Sequence, residues 1–167
     1  VLQDLSLCLG RQNEDFCKRP NKIRPKRRWI DLGKKKDIKV LLVDDEEVFV
    51  DTLAQRLRMR DLIVDVVYNG SEALEFIKNN DPDVIVLDLK MPGLYGIEVL
   101  REIKRGKKKD IQVIILTGHG NDKDEQEARS LGGFDFLKKP ADIDLLVAKI
   151  KEAFAEKVER AMLAATF

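Results

Sequence analysis

The spacing of apolar residues changes repeatedly between residue 38 and the end of the chain. Short apolar runs alternate with segments in which apolar residues recur every three or four positions. The first pattern is typical of buried strands and the second of amphipathic helices. Because the alternation occurs five times and the runs are apolar throughout, we expect strands that are covered on both faces. The sequence therefore predicts a doubly wound, five-stranded parallel sheet with helices on both faces, an α/β fold.

The predicted strands comprise residues 40–43, 62–67, 84–87, 111–116 and 134–137. A first helix is predicted over 46–60, and Ser71 is predicted to be the N-cap of the second. The segment 121–131 is so polar that, if helical, it is weakly anchored. The apolar stripe of the last helix continues to Met162, so we expect this helix to project beyond the domain or to pack on a partner.

Four of the predicted strands are followed by residues that phosphoryl chemistry uses. Asp44 and Asp45 follow the first strand, Asp88 the third, Thr117 the fourth and Lys139 the fifth. If the strands are parallel, their carboxyl ends meet in one crevice, which is where open α/β sheets bind ligands. Three carboxylates, one hydroxyl and one ammonium would then share a pocket.

Each of these residues also has a purely structural interpretation. Asp44 and Asp45 could cap a helix, Asp88 could begin a turn, Thr117 could be an ordinary turn hydroxyl, and Lys139 could be a solvated surface amine. The occurrence of all of them at strand ends favours a shared site. His119 follows a strand in a loop between glycines, which favours a surface role over phosphotransfer.

The residue types suit a nucleophilic carboxylate. A carboxylate that attacks phosphorus is repelled by the phosphoryl oxygens, so a divalent cation and a fixed cation are needed nearby. Asp44 and Asp45, together with Asp88, offer the oxygen ligands that Mg²⁺ prefers. Mg²⁺ is therefore the predicted cofactor.

Four segments, in order, resemble the signature motifs of two-component response-regulator receiver domains. They are LVDDEE (42–47), VLDLKMPG (86–93), LTGH (116–119) and FDFLKKP (134–140). The resemblance covers residues 38 to about 155. It implies a flavodoxin-like sheet of strand order 2-1-3-4-5.

The same resemblance implies roles for individual residues. Asp88 is the phospho-acceptor, and the backbone carbonyl of Lys90 completes the metal site formed by the acidic residues. Lys139, which directly precedes the proline of its motif, contacts one phosphoryl oxygen, and Thr117 hydrogen-bonds another. Thr117 and Phe136 form the coupled switch. Their movement is expected to change the face formed by the fourth helix, fifth strand and fifth helix.

By this resemblance the protein is a signalling switch rather than a conventional enzyme. It catalyses its own phosphorylation from phosphodonors and its own dephosphorylation. The implied partners are a histidine kinase or phosphotransfer protein and a downstream effector protein, and the resemblance also allows a phosphorylation-dependent homodimer. The alternative is the receiver part of a hybrid kinase, or of a DNA-binding regulator whose output domain is absent from this chain.

Two other functional classes agree less well with the sequence. A DNA-binding protein that used the basic N-terminal segment would need a recognition motif, and no helix-turn-helix, zinc or basic-zipper pattern is present. Nucleic acid is therefore not expected as a partner. A phosphatase-like hydrolase would need a second acid near Asp88, which the following Leu89 and Lys90 do not supply.

Charge divides the chain into a basic and an acidic part. Residues 1–38 carry 11 Lys/Arg against 5 Asp/Glu, a net of +6, and the rest carry 20 against 25, a net of −5. We expect residues 1–37 to be a flexible leader or linker, 38–155 the receiver domain and 156–167 an extension of the last helix. The sequence has no apolar stretch long enough to span a membrane and no signal-peptide pattern, so we expect a cytoplasmic protein. We also expect Cys8 and Cys17 to be free thiols.

Overall fold

The computed structural model describes residues 37–165. The strands are β1 (Lys39–Val43), β2 (Ile63–Val67), β3 (Val84–Leu87), β4 (Gln112–Thr117) and β5 (Asp135–Lys138). The helices are α1 (Glu47–Arg58), α2 (Gly70–Asn79), α3 (Gly96–Arg105), α4 (Asp122–Ser130) and α5 (Ile143–Ala164). Residues 1–36 of the predicted leader, which include its two cysteines, lie outside the described residues.

All five strands are parallel, and their order in the sheet is β2-β1-β3-β4-β5. The predicted fold class and strand order are confirmed. Val43 at the end of β1 is aligned with Leu87 at the end of β3. The next residue of each strand therefore leaves the sheet at the same edge, and this register places Asp44 and Asp88 side by side.

Alternate residues of the strands point into two apolar layers on opposite faces of the sheet. One layer contains Val40 and Leu42 of β1 and is covered by α1 and α5. The other contains Leu41 and Val43 and is covered by α2, α3 and α4. Burial on both faces is the reason that the central strands are apolar without alternation.

The helix α4 differs from the others because Ala128 is the one fully buried residue among its nine. Its start is well fixed. The Asn121 side chain accepts hydrogen bonds from the backbone N–H groups of Lys123 and Asp124, and the Asp124 carboxylate accepts one from the Asn121 N–H. The weak apolar anchoring expected from the sequence is present along its length.

The helix α5 has its last buried residue at Phe154 but continues to Ala164. Lys157 still contacts the body of the domain, since its Nζ lies 2.9 Å from Oδ1 of the buried Asp83. Beyond this contact the side chains of residues 161–165 are exposed. Within residues 37–165, no helix is both long and apolar enough to span a bilayer.

The predicted cap of α2 is wrong. The N-cap is Asn69, whose side-chain oxygen accepts a hydrogen bond of 2.9 Å from the Glu72 N–H. The Glu72 carboxylate in turn accepts one of 3.0 Å from the Tyr68 N–H. Ser71 lies inside the first turn of the helix. The Glu three residues after Asn69 is the sequence signal that favours this position over Ser71.

The capping geometry predicts unequal effects for two neighbouring substitutions. Asn69→Ala removes the acceptor of the Glu72 N–H and should lower the free energy of unfolding by about 1 kcal/mol. Ser71→Ala should change it much less, because the serine does not cap the helix. Chemical denaturation of both variants provides the comparison. Equal losses in the two variants would contradict the assignment of Asn69 as the cap.

Candidate functional site

Three carboxylates meet at the carboxyl edge of the sheet. Asp44 follows β1 and Asp88 follows β3, and their side chains are 5% and 7% exposed. Asp45 is exposed at the rim. Each of the three places a carboxylate oxygen within 4.8 Å of the other two. The structure thus brings together the acids that the sequence placed at strand ends.

Backbone groups orient the two buried carboxylates. Oδ1 of Asp44 accepts a hydrogen bond of 3.0 Å from the Glu46 N–H. Oδ2 of Asp88 accepts one of 3.1 Å from the Lys90 N–H. Each bond occupies one carboxylate oxygen, and its donor lies two positions later in the chain. The other oxygen of each carboxylate is left to face the ammonium of Lys139.

Lys139 follows β5 and crosses the pocket toward these acids. Its Nζ lies 2.6 Å from Oδ2 of Asp44, 3.0 Å from Oε1 of Glu46 and 4.0 Å from Oδ1 of Asp88. The ammonium also lies 4.4 Å from the centroid of the Phe49 ring, in the geometry of a cation–π contact. Its side chain is 12% exposed, whereas the neighbouring Lys138 is exposed.

Burial shifts the ionisation of this pair. Desolvation raises the pKa of Asp44 above its ordinary value of 3.8, although hydrogen bonds from Lys139 and the Glu46 N–H oppose the rise. Desolvation also lowers the pKa of Lys139, but the hydrogen bonds to Asp44 and Glu46 outweigh it, so the pKa lies above 10.5. The ammonium is therefore charged at neutral pH and is the main compensation for the buried carboxylate.

The acidic cluster has the chemistry of a Mg²⁺ site. The Lys139 ammonium faces Asp44, Glu46 and Asp88, and Asp45 belongs to the same acidic cluster, so negative charge remains in excess. Mg²⁺ prefers oxygen ligands, takes one or two carboxylates and keeps several waters, which the exposed Asp45 side of the pocket can admit. The residues present fit this ion. A role for the Lys90 carbonyl as a ligand stays a prediction.

Thr117 is completely buried at the end of β4. Its hydroxyl oxygen accepts a hydrogen bond of 3.4 Å from the His119 N–H, and its carbonyl accepts one of 2.9 Å from the Lys139 N–H. Thr117 thus contacts both the loop after β4 and the segment that carries the lysine. Phe136 is buried at 8% exposure, and the side chain of His119 is on the exposed loop.

Three residues at the site were not assigned a role from the sequence. Glu46 and Phe49 contact the Lys139 ammonium. Gly96, at the start of α3, allows the chain to pass so close to Asp88 that a Cβ there would lie 2.1 Å from the Asp88 carbonyl oxygen. The run of four acidic residues at 44–47 was a sequence signal that Glu46 lies near the site. Phe49 belongs to the apolar stripe of α1, so the sequence indicated packing in the core and gave no sign of its contact with the Lys139 ammonium.

Comparison with known families agrees with this geometry. Residues 40–151 match the response regulator receiver domain family. The chain belongs to this family. The fold prediction made from its motifs is confirmed by the match, and residues on either side of the receiver domain fall outside the matched region.

Individual relatives of this receiver domain include regulators and solved structures. The transcriptional regulatory protein CutR of Streptomyces coelicolor is 39% identical over 114 residues, which are 68% of this chain and 52% of CutR. The chain thus spans about half the length of that relative. A receiver domain from Clostridium thermocellum is 35% identical, with a TM-score of 0.68 over 72% of this chain and 96% of that one.

A third relative is a response regulator protein from Burkholderia pseudomallei, solved with a phosphorylated aspartic acid, a calcium ion and citrate. It is 28% identical to this receiver domain, with a TM-score of 0.65. The match covers 75% of this chain and 74% of that one.

Proposed function

We propose that this receiver domain is a switch that accepts a phosphoryl group on Asp88 and signals through the surface of α4, β5 and α5. The observation that carries the proposal is the buried cluster of Asp44 and Asp88 around the Lys139 ammonium, with the exposed Asp45 at its rim. The Burkholderia relative, whose structure holds a phosphorylated aspartic acid, supports the choice of an aspartate as acceptor.

The proposed reaction is a single displacement at phosphorus. A carboxylate oxygen of Asp88 forms a bond to phosphorus while the bond from phosphorus to the donor's leaving group breaks, and that group departs with the electron pair. With phosphohistidine the leaving group is the imidazole nitrogen, and with acetyl phosphate it is acetate. Attack by water on the same phosphorus later releases inorganic phosphate and restores Asp88.

The other residues of the site would stabilise charge during this step. Asp44 and Asp45 would hold Mg²⁺, which when bound offsets the negative charge of the phosphoryl oxygens. Lys139 would move from Asp44 and Glu46 toward a phosphoryl oxygen, a short shift since its Nζ already lies 4.0 Å from Asp88. Thr117 would hydrogen-bond a second oxygen.

A histidine kinase or phosphotransfer protein is the proposed source of the phosphoryl group. Receiver domains as a family interact with kinases and effectors, and the similarity to CutR supports a role in transcriptional regulation. In such a regulator this domain would supply the phosphorylation-dependent part. The receiver of a hybrid kinase remains the alternative.

Within the proposed output surface, ion pairs connect α4 to its neighbours. Asp135 of β5 lies 3.5 Å from Arg129 of α4 and 3.2 Å from Lys149 of α5. A bond of 2.6 Å between Arg101 and Glu127 connects α3 to α4. Since exposed ion pairs contribute little stability and α4 buries one residue, α4 is the element that a change at the site can move most readily.

We predict that Asp88 is the only residue phosphorylated by small donors. Acetyl phosphate with Mg²⁺ should add one phosphoryl mass to the protein, and hydroxylamine should remove it because an acyl phosphate is attacked by this nucleophile. Asp88→Asn should remain unmodified. Intact-protein mass spectrometry measures all three results.

Asp83→Asn is the matched control, because Asp83 is also a buried acid but lies at the opposite edge of the sheet. This variant should be phosphorylated like the wild type. A modification that survives in Asp88→Asn would overturn the assignment of the acceptor.

A second prediction concerns the output surface. Beryllium fluoride, a phosphoryl mimic, should change backbone hydrogen exchange most strongly in residues 117–137, which include α4 and most of β5. The reason is that α4, with one buried residue, is held by less apolar packing than the other four described helices. Asp88→Asn should show no response. Changes confined to α1 and α2 would place the output surface elsewhere.

A further inference from the structure

The loop after β4 brings a glycine against both residues of the proposed switch. A Cβ at Gly120 would lie 2.5 Å from Cζ of Phe136 and 2.8 Å from Cγ2 of Thr117. Favourable contacts between carbon atoms lie near 3.5–4.0 Å. The position therefore has no room for a side chain while the Phe136 ring is buried beside Thr117.

The backbone at Gly120 has little freedom to move away. Thr117, three residues earlier, is completely buried in β4. Asn121, the next residue, is held in the reciprocal capping hydrogen bonds at the start of α4. The chain is thus fixed on both sides, whereas Phe136 can turn about its χ1 angle. The Phe136 ring is the neighbour that can turn away from an added atom, whereas the overlap with the Thr117 methyl at 2.8 Å remains.

We infer that Gly120 is a positioning residue that allows the Phe136 ring to lie buried against Thr117, and that any side chain at this position turns the ring outward. Phe136 lacks a hydroxyl, so no hydrogen bond of its side chain favours either ring position. Packing alone sets the balance, and the space left by Gly120 decides whether the buried position exists.

The consequence for signalling rests on the proposed function. If movement of Thr117 is transmitted through the ring to α4 and β5, a protein in which the ring cannot be buried should bind a phosphoryl group without passing on the change. Gly120 would then be required for the response to phosphorylation and not for phosphorylation itself.

The first test measures the ring position directly in the full chain. With Thr methyl groups labelled, NMR should detect a nuclear Overhauser effect between the Thr117 methyl and the Phe136 ring in the wild type. Gly120→Ala should abolish it. Gly118→Ala is the matched control in the same loop, because a Cβ there would meet only Lys139 carbons at 3.9 Å. That variant should keep the signal, and its persistence in Gly120→Ala would overturn the inference.

A double-mutant cycle covers the case in which Gly120→Ala folds poorly. Gly120→Ala should lower the melting temperature in the wild-type background and by a smaller amount in a Phe136→Ala background, where the ring is absent and the Thr117 methyl alone is met. Equal losses in both backgrounds would show that the ring is not what the methyl group displaces.

The signalling consequence has a separate measurement. In Gly120→Ala, acetyl phosphate should still add one phosphoryl mass, while beryllium fluoride should no longer change hydrogen exchange in α4 and β5. A full exchange response in this variant would overturn the coupling through the ring. Absence of phosphorylation in the wild type would instead contradict the proposed function and leave the NMR result on ring position to be judged by itself.

Discussion

The contact between the Lys139 ammonium and the Asp44 carboxylate is the interaction on which the site depends. Burying a carboxylate is costly unless it is paired and hydrogen-bonded. Here one ammonium faces two buried carboxylates and is itself held by Glu46 and the Phe49 ring. This arrangement satisfies the buried groups but leaves an excess of negative charge. This excess of negative charge fits a divalent cation.

The fold supplies this pocket through strand register rather than through loops alone. Since β1 and β3 end together, Asp44 and Asp88 need no long excursion to meet, and β4 and β5 bring Thr117 and Lys139 to the same edge. Two apolar layers hold these strands firmly. The helix α4, with one buried residue, is fixed mainly by its cap and by exposed ion pairs. A rigid site and a loosely held helix thus lie next to each other.

The sheet and the residues at its strand ends could be predicted from the sequence. The spacing of apolar residues is a local signal, and polar residues recur after one apolar run after another. It did not predict the contacts of Glu46 and Phe49 with Lys139, since these residues, which are 93 and 90 positions from the lysine, meet it only after folding. It also failed to identify the role of Gly120, because a close approach to Phe136 leaves no trace in composition. The predicted N-cap of α2 was wrong for a different reason. Asn69 and Ser71 are both residues that cap helices well, and the position of Glu72, three residues after Asn69, favours Asn69.

The most direct test of the electrostatic account is the affinity for Mg²⁺ of a Lys139→Met variant, measured by titration calorimetry. Without the ammonium, the repulsion among the carboxylates is relieved only by the ion, and Asp44 is free to bind it. We predict binding roughly thirtyfold tighter than in the wild type, which corresponds to about 2 kcal/mol for a unit charge and a doubly charged ion about 4 Å apart in water. Asp45→Ala, which removes a ligand, should bind more weakly. Unchanged or weaker binding in Lys139→Met would contradict the account.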